Sequence, residues 1–82
     1  MNQIKWQKKA LKQLRKIENI QTRNRIYDAV DTLRHFPDCR NAKKLVDKEE
    51  YRLRVGNWRV FFTADLNIIY IEEVKKRNET TY

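Results

Sequence analysis

The chain has 82 residues, and its 19 Lys and Arg against 11 Asp and Glu give a formal net charge of +8 at pH 7. This length predicts one domain, spanning residues 1–82, and the positive charge favours an anionic partner: nucleic acid, a membrane surface or an acidic protein. The single cysteine, Cys39, excludes an internal disulfide and a cysteine-based zinc cluster, and the single histidine, His35, excludes a two-histidine ribonuclease mechanism.

The first half of the chain predicts one short strand and two helices. Residues 2–6 are typical of a strand, and residues 7–17 and 22–35 have apolar residues at helical spacing. We expect the second helix to end before Pro37, because proline disfavours helical geometry at the residue that precedes it. The apolar positions of the two helices are Ala10, Leu11, Leu14, Ile17, Ile26, Ala29, Val30 and Leu33.

The second half predicts a loop at 38–42 and then strands, because the apolar period changes from helical spacing to alternation. The pattern favours strands at 50–55, 58–63 and 67–73, with a turn at 65–67 before the last one, and residues 43–46 are a weaker candidate for a short strand that the element order does not count. The element order is therefore β-α-α-β-β-β. Two amphipathic helices beside such strands predict an α+β fold, with a helix pair packed on a small sheet.

The most informative segment is the predicted hairpin at residues 51–62. Gly56-Asn57 suits a two-residue turn, because Gly tolerates positive φ. This turn places Arg54 opposite Arg59, and alternation then sorts the hairpin side chains into two faces. One face is apolar: Tyr51, Leu53, Val55, Trp58, Val60 and Phe62. The other carries Arg52, Arg54, Arg59 and Phe61.

Arg54 opposite Arg59 is an unfavourable pair for stability alone, because like charges directly opposite each other destabilise a sheet. An anion between them would remove the repulsion, and guanidinium groups bind phosphate oxygens bidentately. Phe61 could stack on a base beside them, as aromatic side chains do in proteins that bind single-stranded RNA. The alternative is that the arginines pair with the carboxylates of Glu72, Glu73 or Glu79.

A resemblance joins these features. The β-α-α-β-β-β order, the hairpin sequence Tyr-Arg-Leu-Arg-Val-Gly-Asn-Trp-Arg-Val and a basic C-terminal segment ending in Tyr82 resemble the RelE/ParE toxin superfamily over nearly the whole chain. The resemblance implies an antiparallel helix pair on a mainly antiparallel sheet. RelE-like members are mRNA interferases that cleave mRNA in the ribosomal A site, and a co-expressed antitoxin silences them. ParE-like members share the fold but poison DNA gyrase.

The resemblance also implies site residues. The basic residues of the RelE hairpin match Arg52, Arg54 and Arg59, and its C-terminal tyrosine matches Tyr82. The basic residue after its last strand matches Arg77, or Lys76 if the register shifts by one. The chain departs from the pattern at Val74-Lys75-Lys76-Arg77, where many relatives have Gly-His-Arg or Gly-Lys-Arg, and at Thr80 and Thr81, where some have another basic residue.

Cleavage of RNA by its 2′-OH needs a group that accepts the 2′-OH proton, a group that stabilises the charged phosphorane and a group that protonates the leaving oxygen. Arginine keeps its proton in proteins, so the hairpin arginines are expected to clamp phosphate. The residues open to proton transfer are Tyr82, Lys76, Lys75 and Glu79. The resemblance assigns Tyr82 as the base, because nearby cations favour the phenolate, and Arg77 or Lys76 as the group that assists the leaving oxygen. No metal or other cofactor is expected.

These expectations define the partners and the competing functions. A RelE-like toxin would act in the cytoplasm on the 70S ribosome and mRNA, as a monomer that assembles with an antitoxin, and would bind RNA through Arg52, Arg54, Arg59, Phe61, Lys75 and Lys76. The alternatives are a ParE-like gyrase inhibitor, which needs no catalytic tyrosine, and an RNA-binding module without catalysis. No apolar run predicts a membrane span or a signal peptide.

Overall fold

The computed structural model describes residues 1–46 and 49–77, which form two α-helices, a short 3₁₀ helix and five strands. The elements in chain order are β1 (Gln3–Trp6), α1 (Lys8–Arg15), α2 (Ile20–Asp31), the 3₁₀ helix (Thr32–His35), β2 (Ala42–Lys44), β3 (Tyr51–Val55), β4 (Trp58–Asp65) and β5 (Ile68–Lys76). This order confirms the predicted α+β class.

The strands form one sheet in the order β1-β5-β4-β3-β2. The strands β2 to β5 pair antiparallel with their neighbours, and only β1 pairs parallel, with β5. The sheet is therefore mainly antiparallel, as expected. The parallel pair brings the start of the chain against its last strand, and the two helices connect β1 at one edge of the sheet to β2 at the other edge.

The helices cover one face of the sheet. Their predicted apolar positions are buried in a common core with the apolar face of the β3–β4 hairpin, and Leu11 and Ala29 are partly buried. The buried residues are Ala10, Leu14, Ile17, Ile26, Val30, Leu33, Leu53, Val55, Val60, Phe62, Ile69, Ile71 and Val74. This packing explains the two apolar patterns of the chain. Apolar residues recur about every 3.6 positions in the helices and at every second position in the strands, and both patterns place them in the layer between the helices and the sheet.

The second helix begins earlier than the sequence predicted. Its first residue is Ile20, because the side chain of Asn19 accepts a hydrogen bond from the Thr22 N–H at 2.9 Å and so caps the helix. The α-helical geometry ends at Asp31, and the turn that follows is a tighter 3₁₀ helix that ends at His35, ahead of Pro37. The predicted stop before the proline is correct, and His35 lies at a helix end as expected.

The strands also differ in extent from the prediction: β1 and β3 each begin one residue later, and the other three differ more. The second strand is Ala42–Lys44 rather than 43–46, and β4 continues to Asp65. The last strand reaches Lys76 rather than ending at 73, because a bulge at Glu72 shifts its alternation. Ile71 faces Phe62 across the pair, whereas Val74 faces Val60, so that both Ile71 and Val74 are buried.

No helix in the described ranges, 1–46 and 49–77, combines the length and the apolar character needed to cross a bilayer.

Candidate nucleic-acid interface

The hairpin has the predicted register. Arg54 is the partner of Arg59, and Arg52 is the partner of Phe61. The turn residue Gly56 has φ of 57°, a conformation that favours glycine. Arg52, Arg59 and Phe61 are half-buried and Arg54 is exposed, on the side of the sheet opposite the core. We call this side the open face.

Lysines on the two neighbouring strands flank the hairpin arginines on the open face. On β2, Lys43 is the partner of Arg52, and on β5, Lys75 is the partner of Arg59. Because directly paired residues lie on the same side of a sheet, one row of the open face reads Lys43, Arg52, Phe61, and the next reads Arg54, Arg59, Lys75. The basic side chains therefore form a continuous strip across four strands.

Arg59 lies at the electrostatic centre of this strip. Its pKa is lowered by partial desolvation and then by the positive charges of Arg52, Arg77 and Arg54. The lowered pKa means that the cluster disfavours its own charge, although an arginine still remains protonated at neutral pH. A bound anion would reverse this unfavourable interaction.

Carboxylates do not neutralise the hairpin arginines in the part of the chain that the structure describes. Glu73 contacts Lys9 and Lys75, and Glu72 accepts a hydrogen bond from the Thr63 hydroxyl at 3.0 Å. No ion pair of Arg52, Arg54 or Arg59 occurs within residues 1–46 and 49–77. The alternative of pairing with Glu72 or Glu73 is thus not what the structure has, and Glu79 lies outside the described residues.

Phe61 is the aromatic side chain of the strip. Its ring is half-buried among charged neighbours, with Lys75 Nζ 5.9 Å from the ring centroid. Arg52 is its partner on β3, and Glu73 is its partner on β5. The Lys75 ammonium group lies over the ring, and a half-exposed aromatic ring beside cationic groups is the arrangement with which proteins stack unpaired bases.

Glu73 reaches the open face because of the bulge. Its Oε1 atom lies 3.4 Å from Lys9 Nζ and 3.3 Å from Lys75 Nζ. Burial by itself would raise the pKa of Glu73, but the hydrogen bonds and charges of Lys75 and Lys9 outweigh it and lower the pKa. The carboxylate is therefore ionised at neutral pH.

The helix α1 closes the strip at the edge of β5. Lys9 and Gln13 are four residues apart, so they share one helix face. Gln13 Oε1 accepts a hydrogen bond from the Val74 N–H at 2.6 Å, next to the bulge, while Lys9 reaches Glu73. The helix thus satisfies a strand-edge donor and adds a cation to the open face.

The C-terminal candidates separate in the structure. Lys76 is the partner of Trp58 and lies on the helix-covered side of the sheet, whereas Lys75 faces Arg59. The Arg77 N–H donates to the Asn57 carbonyl at 2.6 Å, and the Arg77 charge acts on Arg59. The strip therefore gathers Arg77 with the hairpin arginines and leaves out Lys76. Tyr82 lies outside the described residues.

Sequence reasoning missed two members of this site, Lys43 and Lys9, and considered Glu73 only as an ion-pair partner of the arginines. The register of β2 had not been predicted, so Lys43 had no neighbour. The apolar residue at Val74, three positions after Ile71, was a signal of the bulge, because strict alternation would have placed it at position 73. No local signal marks Lys9, whose contact joins residues 64 positions apart in the chain.

Comparison with known proteins gives one family. A sequence profile described as the ParE toxin of the type II toxin–antitoxin system, parDE, matches residues 4–80. No curated protein sequence matches the chain.

The fold is similar to solved toxin structures at low sequence identity. The RelBE2 toxin–antitoxin complex of Mycobacterium tuberculosis contains a chain with a TM-score of 0.81 and 18% identity, over 93% of this chain and 98% of that one. The isolated Escherichia coli RelE toxin gives 0.80 and 14%, over 99% and 89%. The RelE–RelB complex of Pyrococcus horikoshii gives 0.76 and 23%, over 96% and 98%.

Proposed function

Since the chain belongs to the ParE toxin family of type II toxin–antitoxin systems and its fold is similar to that of RelE toxins, we propose that it is a metal-independent endoribonuclease that cleaves mRNA in the A site of the ribosome. Translation would stop as a result. The toxin would act in the cytoplasm, where its substrate is, and an antitoxin would hold it inactive.

The observation that carries this proposal is the basic strip. Arg52, Arg54 and Arg59 lie together without carboxylate partners among the described residues, and partial desolvation followed by the positive charges of the neighbouring arginines lowers the pKa of Arg59. The cost of holding these charges together is understandable if a phosphate group binds between them. Phe61 beside the arginines gives a surface on which an unpaired base can stack. The bases of duplex DNA are already stacked and reach such a surface only after base flipping.

In the proposed mechanism the hairpin arginines hold the scissile phosphate and stabilise the negative charge that develops on the phosphorane. Tyr82 accepts the proton of the 2′-OH, the 2′-oxygen attacks phosphorus, and the bond to the 5′-oxygen breaks. Arg77 neutralises the leaving 5′-oxygen as its charge develops. Water supplies the proton that turns the departing oxygen into a 5′-hydroxyl, and the other product is a 2′,3′-cyclic phosphate. The arginines provide the positive charge that this reaction needs, so the proposed mechanism uses no metal ion.

Arg77 is a better candidate than Lys76 for the leaving oxygen. Arg77 acts electrostatically on Arg59, whereas Lys76 is paired with Trp58 on the helix-covered side. Lys75 is on the same side as Arg59 and would contact a neighbouring phosphate. Neither a tyrosine base nor an arginine that keeps its proton is an efficient acid–base catalyst at neutral pH, so we expect the ribosome to supply much of the orientation of the substrate.

The first experiment measures mRNA cleavage by primer extension, in a purified translation system with programmed ribosomes. We expect Y82F to slow cleavage by about 10²–10⁴-fold, the usual contribution of a general base. We expect R59A to slow cleavage by about 10²-fold, because one donor to the charged intermediate is lost. Both variants should still bind ribosomes in a sedimentation assay. Cleavage by Y82F at the wild-type rate would refute the role of Tyr82.

A pair of neighbouring substitutions tests the assignment of the leaving-group residue. R77A should slow single-turnover cleavage strongly, and K76A should change it by less than about threefold, the scale of a lost long-range charge. Equal losses in the two variants would contradict the assignment of Arg77.

A second candidate function is inhibition of DNA gyrase, because the matching family profile is that of the ParE toxin. The two functions differ in their direct readouts. A gyrase inhibitor would block supercoiling of relaxed plasmid by purified gyrase and leave mRNA intact on ribosomes. Inhibition of supercoiling without cleavage of mRNA would replace the proposed function with this one.

A further inference from the structure

The open face carries one ionised carboxylate directly beside its stacking ring. Glu73 is the strand partner of Phe61, and directly paired side chains have Cβ atoms about 4.5–5.5 Å apart. A base stacked on Phe61 would therefore bring one edge next to the Glu73 carboxylate. On the other side, the strand partner of Phe61 is Arg52, whose guanidinium group carries only donors. The surroundings of the ring thus have one acceptor side and one donor side.

The carboxylate is held in place for such a contact. Both lysine ammonium groups approach the same oxygen, Oε1, at 3.4 Å from Lys9 and 3.3 Å from Lys75. A carboxylate has about four lone-pair positions, so the other oxygen keeps its capacity to accept. The side chain retains 26% of its exposure, which leaves it accessible from the open face.

The backbone supports the same orientation. The bulge turns Glu73 toward Phe61 while Val74 enters the core opposite Val60. Gln13 fixes this geometry by accepting the Val74 N–H at 2.6 Å. Bulges next to functional sites commonly re-aim a side chain in this way.

We infer that Glu73 is a specificity residue that selects guanine at the position stacked on Phe61. Guanine alone among the four RNA bases presents two adjacent N–H donors, N1–H and N2–H, on its Watson–Crick edge. The oxygen of Glu73 that the lysines leave open has two lone pairs and can accept from both donors, in the way that proteins read unpaired bases along that edge. Adenine and cytosine offer one amino group each, and uracil flanks its single N–H with two carbonyl oxygens that a carboxylate repels.

This inference rests on the proposed RNA-binding role of the open face, but it is tested without the ribosome. The probe is a short oligouridylate with 2′-O-methyl groups, so that no cleavage occurs, and with guanine, inosine, adenine or uracil at its centre. Binding is measured by fluorescence anisotropy. For the unaltered chain we expect the guanine probe to bind about tenfold more tightly than the uracil probe, the lower part of the range for a bidentate contact to a base. Inosine lacks the N2 amino group and should bind with intermediate affinity.

The decisive variant is E73Q, with E72Q as its matched control. E73Q keeps the shape of the side chain but replaces one carboxylate oxygen by an NH₂ donor and removes the negative charge. It should reduce the preference for guanine to less than about twofold, and the loss of the negative charge should strengthen binding of the uracil probe. Glu72 is adjacent on the same strand but bonds to Thr63, so E72Q should keep the preference. A uniform change with all four probes in E73Q, or the same loss in E72Q, would mean that Glu73 acts only as a counter-charge and would overturn the inference.

The outcomes separate this inference from the proposed function. Guanine preference that depends on Glu73, without cleavage of mRNA on ribosomes, would support the inference and remove only the nuclease. Cleavage on ribosomes, with no base preference of the free chain or no binding of any probe, would overturn the inference and leave the nuclease standing.

Discussion

One face of the sheet is apolar and the other is mainly basic, although residues of the two kinds alternate along the same strands. In the β3–β4 hairpin, Leu53, Val60 and Phe62 are buried under the helices, while their immediate neighbours Arg52, Arg59 and Phe61 lie on the open face. The covered face satisfies the requirements of stability, since apolar groups fill the core. The open face contradicts those requirements, since it sets like charges opposite each other. A surface that lowers stability in this way is best explained by what it binds.

The largest expected effect is the difference in stability between substitutions of two adjacent phenylalanines, one on each face. F62A should destabilise the protein by about 3–5 kcal/mol, because Phe62 is fully buried and its loss leaves a cavity. That is comparable to the whole stability of a small domain, so we expect little cooperative unfolding to remain. F61A should change stability by about 1 kcal/mol or less, since its ring is half-exposed, but should weaken RNA binding. Urea titration followed by circular dichroism measures both, and similar losses of stability would contradict the division into two faces.

The next effect lies where the two faces meet. Q13A removes the acceptor for the Val74 N–H and should lower the free energy of unfolding by about 1 kcal/mol. The loss is larger if no water molecule replaces the lost acceptor. K12A is the matched control, because Lys12 is exposed on the same helix. Hydrogen exchange of the Val74 amide should become faster in Q13A only. Unchanged exchange would show that the helix does not protect this strand edge.

The smallest expected effect is a gain in stability, whereas the substitutions above lower it. R54E sets a carboxylate opposite Arg59 and should stabilise the free protein by roughly 0.5 kcal/mol, because a repulsive pair becomes an attractive one. R54Q removes the repulsion without adding an attraction, so its stability should lie between those of R54E and the unaltered chain. Both variants should bind RNA more weakly than the unaltered chain. A loss of stability in R54E would mean that the arginine pair is not repulsive in the free protein.

Local sequence determined much of this molecule. The hairpin register followed from Gly56-Asn57 and from alternation, since the conformation of a two-residue turn fixes which residues face each other. The helical periods identified the buried face, and Pro37 gave the end of the helical region. These features depend on neighbours within a few positions, so they can be read from the chain itself.

Contacts between distant segments decided the rest. The parallel pairing of β1 with β5 brings α1 to the edge of β5, and only there can Lys9 meet Glu73 and Gln13 meet Val74. Such contacts depend on how whole elements pack, which the residues near each position do not encode. The sequence therefore determined that an arginine surface exists, while the tertiary structure decided which cations join it and placed a carboxylate beside its aromatic ring.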